Sequence, residues 1–210
     1  MYNLPHFKAA TQQDVLAFIK ANPFIVLCGV DKNNHPVATH IPVLIEERDD
    51  KIFIYAHIMR KQEHTVAFEN NSNVLAIFQS PNTYISASWY ENKQQGGSWN
   101  YQAVHASGTI KFLDEKSLYN FLVKLTDHFE GTPHSLAAVK NISAEYMNNN
   151  MKAIVAFEIE VTNIQHIFKL SQNRDKKSFE NIIEQLENGN PSQQYIAKEM
   201  KQIKPNVFKD

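Results

Sequence analysis

Three β-rich runs separated by two polar turns, all within residues 24–58, constrain this chain more than any other feature. FIVLCGV (24–30), VATHIPVLI (37–45) and KIFIYAHI (51–58) are joined first by a turn carrying Asp31, Asn33, Asn34 and Pro36, then by the polar stretch 46–50. Branched and aromatic runs punctuated this closely by Asn, Asp and Pro pair as an antiparallel meander, because so few turn residues can only reverse the chain. Further strand-like runs fall at 74–79, 83–90, 99–113 and 153–168. Six or seven strands without regular strand–helix alternation exclude a doubly wound sheet and predict an α+β fold on a mainly antiparallel β-barrel with peripheral helices.

Helices punctuate this pattern. Thr11 followed by Asp14 reads as a capping box with Asp in place of Glu, and Val15, Leu16, Phe18 and Ile19 then share a face up to Pro23. Residues 60–70 form a short helix that Asn70 and Asn71 end, and 91–98 forms a mobile surface loop. Asp114 caps a helix carrying Leu118, Phe121, Leu122, Leu125 and Phe129, which Gly131 and Pro133 stop. An irregular region follows. After the last strand, a helix with Phe179, Ile182, Ile183 and Leu186 on one face ends at Gly189, and a weaker helical segment runs from Ser192. The organisation expected is one domain over 1–210, with 175–210 as a C-terminal helical appendage.

Several chemistries are excluded. A formal net charge of −1 provides no global attraction to nucleic acid, and Cys28 is alone, so neither a disulfide nor a thiolate metal cluster forms within one chain. Cys28 reads as a small buried core residue. The scattered glycines make neither a dinucleotide fingerprint nor a phosphate loop, there is no HExxH, and His57 and His64 lack neighbouring carboxylates at ligand spacing, so no metal site is expected. No G-x-S-x-G elbow surrounds Ser86 or Ser88. No apolar run reaches the roughly 18 residues of a membrane-spanning helix, and MYNLPHFKAA has neither a basic nor an apolar leader region, so the expected location is cytoplasmic.

What remains is an aromatic, hydrogen-bonding groove. Residues 80–108 hold both tryptophans, Trp89 and Trp99, with Tyr84, Tyr90, Tyr101 and His105 around a loop containing Gly96 and Gly97. A flat heteroaromatic ligand needs an aromatic wall, polar partners for its ring edge and cations for any phosphate. The chain offers Thr39 and His40 before Pro42, and Arg60 and Lys61 shortly after His57. Each signal has a plain structural alternative: a solvated basic pair, packed tryptophans, hydrogen-bonded histidines.

Taken together, MYNLPHF at the start, THIPVLI (39–45), AHIMRK (56–61), YISASWY (84–90), SWNYQAVHASG (98–108) and KLSQNR (169–174) resemble the PaiB-type family of FMN-binding proteins, also described as negative transcriptional regulators. The resemblance implies an FMN-binding split barrel and a homodimer with flavin sites at the subunit interface. It makes Arg60 and Lys61 the phosphate candidates, with Thr39 and His40 near the ring and ribityl chain and His57 a further cofactor-binding candidate. Ser86, Ser88, Trp89, Trp99, Asn100 and Tyr101 are then expected to line the ring pocket, and Lys169, Gln172, Asn173 and Arg174 to close one side. The chain departs from the family pattern in three places. It reads Arg60-Lys61-Gln62-Glu63 where R-A-N-P is common, Ala87 where S-P-S-W-Y has proline, and Gly96-Gly97-Ser98 where V-P-T is usual. Losing proline and gaining glycine loosens a loop.

The first functional reading is therefore an FMN-binding protein; if it is an enzyme, it is an FMN-dependent oxidoreductase, although no residue stands out as a general acid or base. The second is a transcriptional regulator, acting with or without bound flavin. Its best local DNA patch is Lys169, Arg174, Lys176 and Lys177 with Lys198, Lys201 and Lys204. The third is a haem-binding split barrel, for which no particular axial ligand is evident.

Overall fold

The structure is a computed structural model and describes residues 1–208. The chain divides into two compact units, one formed by Ile19–Phe78 and His105–Ile164, the other by Met1–Phe18, Gln79–Val104 and the described chain from Gln165 onward.

The first unit carries the sheet. Its strands are β1 (Phe24–Val30), β2 (Pro36–Pro42), β3 (Leu44–Arg48), β4 (Lys51–Met59), β5 (Asn73–Gln79), the later part of β7 (Ser98–Phe112) and the earlier part of β8 (Ile154–Lys169), in the order β2-β1-β5-β7-β8-β4-β3. The expected antiparallel pairings form, β1 with β2 through Phe24↔Pro42 and Val30↔Pro36 and β3 with β4 through Leu44↔Tyr55 and Arg48↔Lys51. They stand as two separate hairpins rather than one three-stranded meander, because β2 and β3 lie at opposite ends of the strand order. β4 also pairs antiparallel with β8 through Met59↔Ile154. Burial alternates along the strands: Ile54, Ala56 and Ile58 of β4 and Val74, Ala76 and Phe78 of β5 point inward.

The run 37–45, expected as one strand, is two. Pro42 has no N–H to donate, and the Val43 N–H leaves the ladder to donate to the Pro23 carbonyl at 2.8 Å, so the chain breaks between β2 and β3. The turn expected over 46–50 tightens to Asp49 and Asp50, both at positive φ (53° and 59°), as a two-residue hairpin requires.

Helix α1 (Gln12–Ala21) opens on the expected capping box: the Thr11 N–H donates to Asp14 Oδ2 at 2.9 Å and the Asp14 N–H to Thr11 Oγ1 at 3.1 Å. The helix expected over 60–70 is α2 (Glu63–Asn70), and Arg60 and Lys61 lie outside it. Gly29 on β1 makes room for α2, since a β-carbon there would stand 2.7 Å from the Phe68 ring. Helix α3 (Glu115–Glu130) is capped by Asp114, which accepts from the Ser117 N–H at 2.8 Å, and ends on Gly131 at φ 70°. The region expected to be irregular holds α4 (Ala144–Met151), capped by Ser143. It contributes Met147 and Met151 to a core with Leu118, Phe121, Val139 and Ala156. Cys28, expected to be buried, is half-exposed, and burial raises its pKa, which keeps it a thiol.

Gly108 on β7 leaves no room for a side chain against β8: a β-carbon there would overlap the Glu160 carbonyl and lie 2.6 Å from Ile159 Cγ2. Gly108→Ala is expected to destabilise the protein by about 1–3 kcal/mol through overpacking, seen as a lower urea midpoint at constant slope. Gly96→Ala, which enters open space, serves as the neutral comparison.

The second unit is helical. Strand β6, expected over 83–90, is only Thr83–Ile85, paired with β7 through Tyr84↔Trp99. Ser86 then accepts from the Ser88 N–H at 3.2 Å and starts a 3-10 turn over Ala87–Trp89. The reason is tertiary: Ile85 and Tyr90, on either side of the turn, both enter a cluster with Leu170, Phe179, Ile182, Ile183, Leu186 and Met200. That cluster is built by α5 (Lys176–Glu187) and α6 (Pro191–Val207). The tail segment expected to be weak is thus a 17-residue helix, opened by a reciprocal capping box between Asn190 and Gln193.

Candidate functional site

In the sheet unit, the chain leaves β4 through a short, tightly held turn. The Arg60 N–H donates to the Ala153 carbonyl at 2.8 Å, Lys61 adopts a left-handed φ of 61°, and α2 begins two residues later. A side chain other than glycine in that conformation is strained, a cost met only where the surroundings impose it. The Gln62 side chain makes no capping hydrogen bond to α2. The first N–H groups of α2 and the positive end of its dipole therefore remain available. Arg60 and Lys61 are both exposed, and among the described residues neither pairs with a carboxylate. Cations and uncapped helix N-termini are the groups that attract phosphate-sized anions in general.

The other nominated residues of this unit lie on two strands. Thr39 is half-buried and His40 exposed on β2, opposite Leu27 and Val26, and the His40 ring stacks with Phe24 at 6.4 Å. His57 on β4 is half-buried, 5.9 Å from the Phe121 ring. Burial lowers its pKa, so the imidazole is neutral at pH 7, and its Nδ1 is buried without a hydrogen-bond partner among the described residues. An unmet buried nitrogen of this kind suits a polar ligand atom.

The second unit holds the other ten nominated residues. Trp99 and Tyr84, 52% and 49% exposed, meet edge to face at 6.0 Å. Gly97 lets the Tyr84 ring lie against the chain, because a β-carbon there would overlap it. Trp89 packs partly buried against the α5/α6 cluster, Ser86 and Ser88 share a hydrogen bond at 2.8 Å, and Tyr101 is half-buried beside Phe7. Asn100 is fully buried; its Oδ1 accepts from the Ser171 hydroxyl at 3.1 Å and its amide NH₂ faces Met200 Sδ at 3.4 Å. Gln172 is engaged at both ends, accepting from the Leu170 N–H at 2.7 Å and donating to the Phe168 carbonyl at 2.5 Å. Asn173 is exposed. Lys169 donates to Ser98 Oγ at 2.6 Å, and burial together with the Arg174 charge lowers its pKa. Arg174 lies 4.0 Å over the Tyr90 ring and donates to Gln95.

The loop expected to be mobile is exposed from Glu91 to Gly97, yet it is tied down. Besides the Arg174–Gln95 bond, the Glu91 N–H donates to Ser178 Oγ at 2.8 Å, Lys177 pairs with Glu91 at 2.8 Å, and Lys93 reaches the Ser88 carbonyl at 2.6 Å. Sequence reasoning did not single out Gln95, Ser178 or Thr65, whose partners are distant in the chain or set by the fold. Among the described residues, no helix is long and apolar enough to cross a membrane, and no group of three or more His, Cys, Asp and Glu side chains could hold a metal ion.

This sheet order and antiparallel pairing, in a chain with six α-helices among the described residues, define an antiparallel split-barrel protein. Solved structures share the fold. The conserved hypothetical protein Rv2991 of Mycobacterium tuberculosis matches with a TM-score of 0.56 at 12% identity, over 80% of this chain and 90% of that one. The FAD and heme binding protein of Mycobacterium smegmatis matches with a TM-score of 0.57 at 14% identity, over 77% and 72%. The chain belongs to the family described as "Putative FMN-binding domain", whose model matches residues 1–163. It is 33% identical over 201 residues to the protease synthase and sporulation protein PAI 2 of Bacillus subtilis (strain 168), covering 95% of this chain and 96% of that protein. The match to the family model takes in Arg60 and Lys61 and stops before Lys169.

Proposed function

We propose that this protein binds FMN and holds its phosphate at the turn between β4 and α2. The observation that carries the reading is the turn itself: Arg60 and Lys61, without carboxylate partners among the described residues, beside a helix N-terminus that Gln62 leaves uncapped. Thr39, His40 and the unpartnered His57 Nδ1 serve the rest of the ligand. Bound FMN supplies redox chemistry, while the chain binds, orients and tunes it.

The working form is a cytoplasmic homodimer with flavin at the subunit interface. The exposed Trp99 and Tyr84 support this, since large amphipathic rings are favoured at protein contacts. A regulatory output is proposed without direct DNA contact through the tail. Of the lysines in that patch, Lys177 pairs with Glu91, Lys201 with Glu187 and Lys204 with Glu180, which neutralises much of its field.

Titration of the purified protein with FMN tests the reading. Quenching of flavin and tryptophan fluorescence with saturation is expected, with FMN bound more tightly than riboflavin, which lacks the phosphate. No saturable change, or a Soret band on adding hemin in place of any flavin response, would sink it.

A further inference from the structure

Thr65 lies in the first turn of α2 with no solvent exposure, and its hydroxyl donates to the Met59 carbonyl at 2.6 Å. That carbonyl belongs to the last residue of β4, immediately before Arg60. A buried hydroxyl has few partners to choose from, so this bond fixes the distance between the end of the strand and the start of the helix. Two neighbouring bonds complete the frame. Arg60 is tied through its N–H to Ala153, and the Val66 N–H donates to the Gln62 carbonyl at 3.0 Å as the first turn of α2 closes. Between these ties sits Lys61 in its left-handed conformation.

The consequence is geometric. Arg60 and Lys61 are long, exposed and flexible, so their side chains alone do not define a site. What can be defined is the backbone from which they leave and its placement relative to the free N–H groups of α2. We propose that Thr65 is a positioning residue for the phosphate cradle, acting through the Met59 carbonyl to hold the strand end, the two cations and the helix N-terminus around one point. The proposal rests on the FMN reading above and deepens it: Thr65 touches no ligand, yet it governs the affinity contributed by the phosphate and none of that contributed by the ring.

The test compares the intact protein with Thr65→Val and Thr65→Ser. Valine keeps the shape and removes the hydroxyl, whereas serine keeps the hydroxyl and removes the methyl group. FMN and riboflavin affinities are measured for all three by fluorescence, beside their melting temperatures. The expected result is FMN binding about tenfold weaker in Thr65→Val, riboflavin binding unchanged, and FMN binding restored in Thr65→Ser, as for a lost neutral hydrogen bond. Equal losses for both ligands, a Thr65→Ser variant as weak as Thr65→Val, or no change in FMN affinity would each overturn the proposal. If the wild-type protein binds no FMN, the FMN reading fails on its own, and the same three proteins are titrated with inorganic phosphate while the amide resonances of Glu63 and His64 are followed. Phosphate-dependent shifts in wild type and Thr65→Ser that Thr65→Val lacks uphold the positioning role; no shift in the wild type, or equal shifts in all three, rejects it.

Discussion

Replacing Arg60 and Lys61 together by alanine is expected to weaken FMN binding by about a hundredfold or more while leaving riboflavin affinity unchanged. Hydrogen bonds to a charged group are worth roughly 1.5–3 kcal/mol each, and about 1.4 kcal/mol corresponds to a tenfold change, so two such contacts to a phosphate dianion reach that size. Riboflavin isolates the effect because it presents the same ring without the phosphate. Both side chains are exposed and carry no ion pair among the described residues. Their removal should therefore shift stability by no more than about 0.5 kcal/mol. Added salt should also weaken FMN binding to the wild type more than to the double variant, since exposed charges are screened. Parallel loss of both flavins would instead mean that the turn shapes the whole pocket and that the phosphate lies elsewhere.

The largest stability effect is expected at Phe179→Ala, about 4 kcal/mol, the usual cost of deleting a fully buried aromatic ring and leaving a cavity. Phe179 has no solvent exposure, stands 5.2 Å from the Phe208 ring and lies in the cluster with Leu170, Ile182, Leu186, Ile196 and Met200. For a chain of this length the loss corresponds to a melting temperature lower by roughly 10 °C. Because Trp89 packs on the same cluster, its fluorescence should report the loosening before the global transition. Glu180→Ala, the exposed neighbour paired with Lys204 at 2.7 Å, should cost less than about 1 kcal/mol. A comparable loss at both positions would mean that helix propensity rather than packing holds α5 in place.

The strand end that carries Arg60 and Lys61 was legible because its parts are local. AHIMRK ends a strand and places two cations immediately after it, and that reading needs only the period of the strand and the charges that follow. Family resemblance then assigned the phosphate to them. The second group of nominated residues was less legible as chemistry. Asn100 and Gln172 look like ligand-binding amides in sequence, yet in the structure they bond to Ser171, Leu170 and Phe168. An amide reads the same whether its partner is a ligand or a distant backbone carbonyl, and only the fold distinguishes the two.

By itself the sequence determined the antiparallel hairpins of β1 with β2 and β3 with β4, the Thr11–Asp14 and Asp114 caps, the helix that stops on Gly131 and the strand leading into Arg60. Each of these is written in contacts between residues a few positions apart, where periodicity and capping chemistry act. The tertiary structure alone decided that β6 ends at Ile85, that the tail is a full helix and that Gly108 has no room for a side chain. It alone decided, too, that the Thr65 hydroxyl faces Met59. These depend on what another part of the chain brings alongside, because burial in a shared core outweighs local preference once the strands and helices have packed.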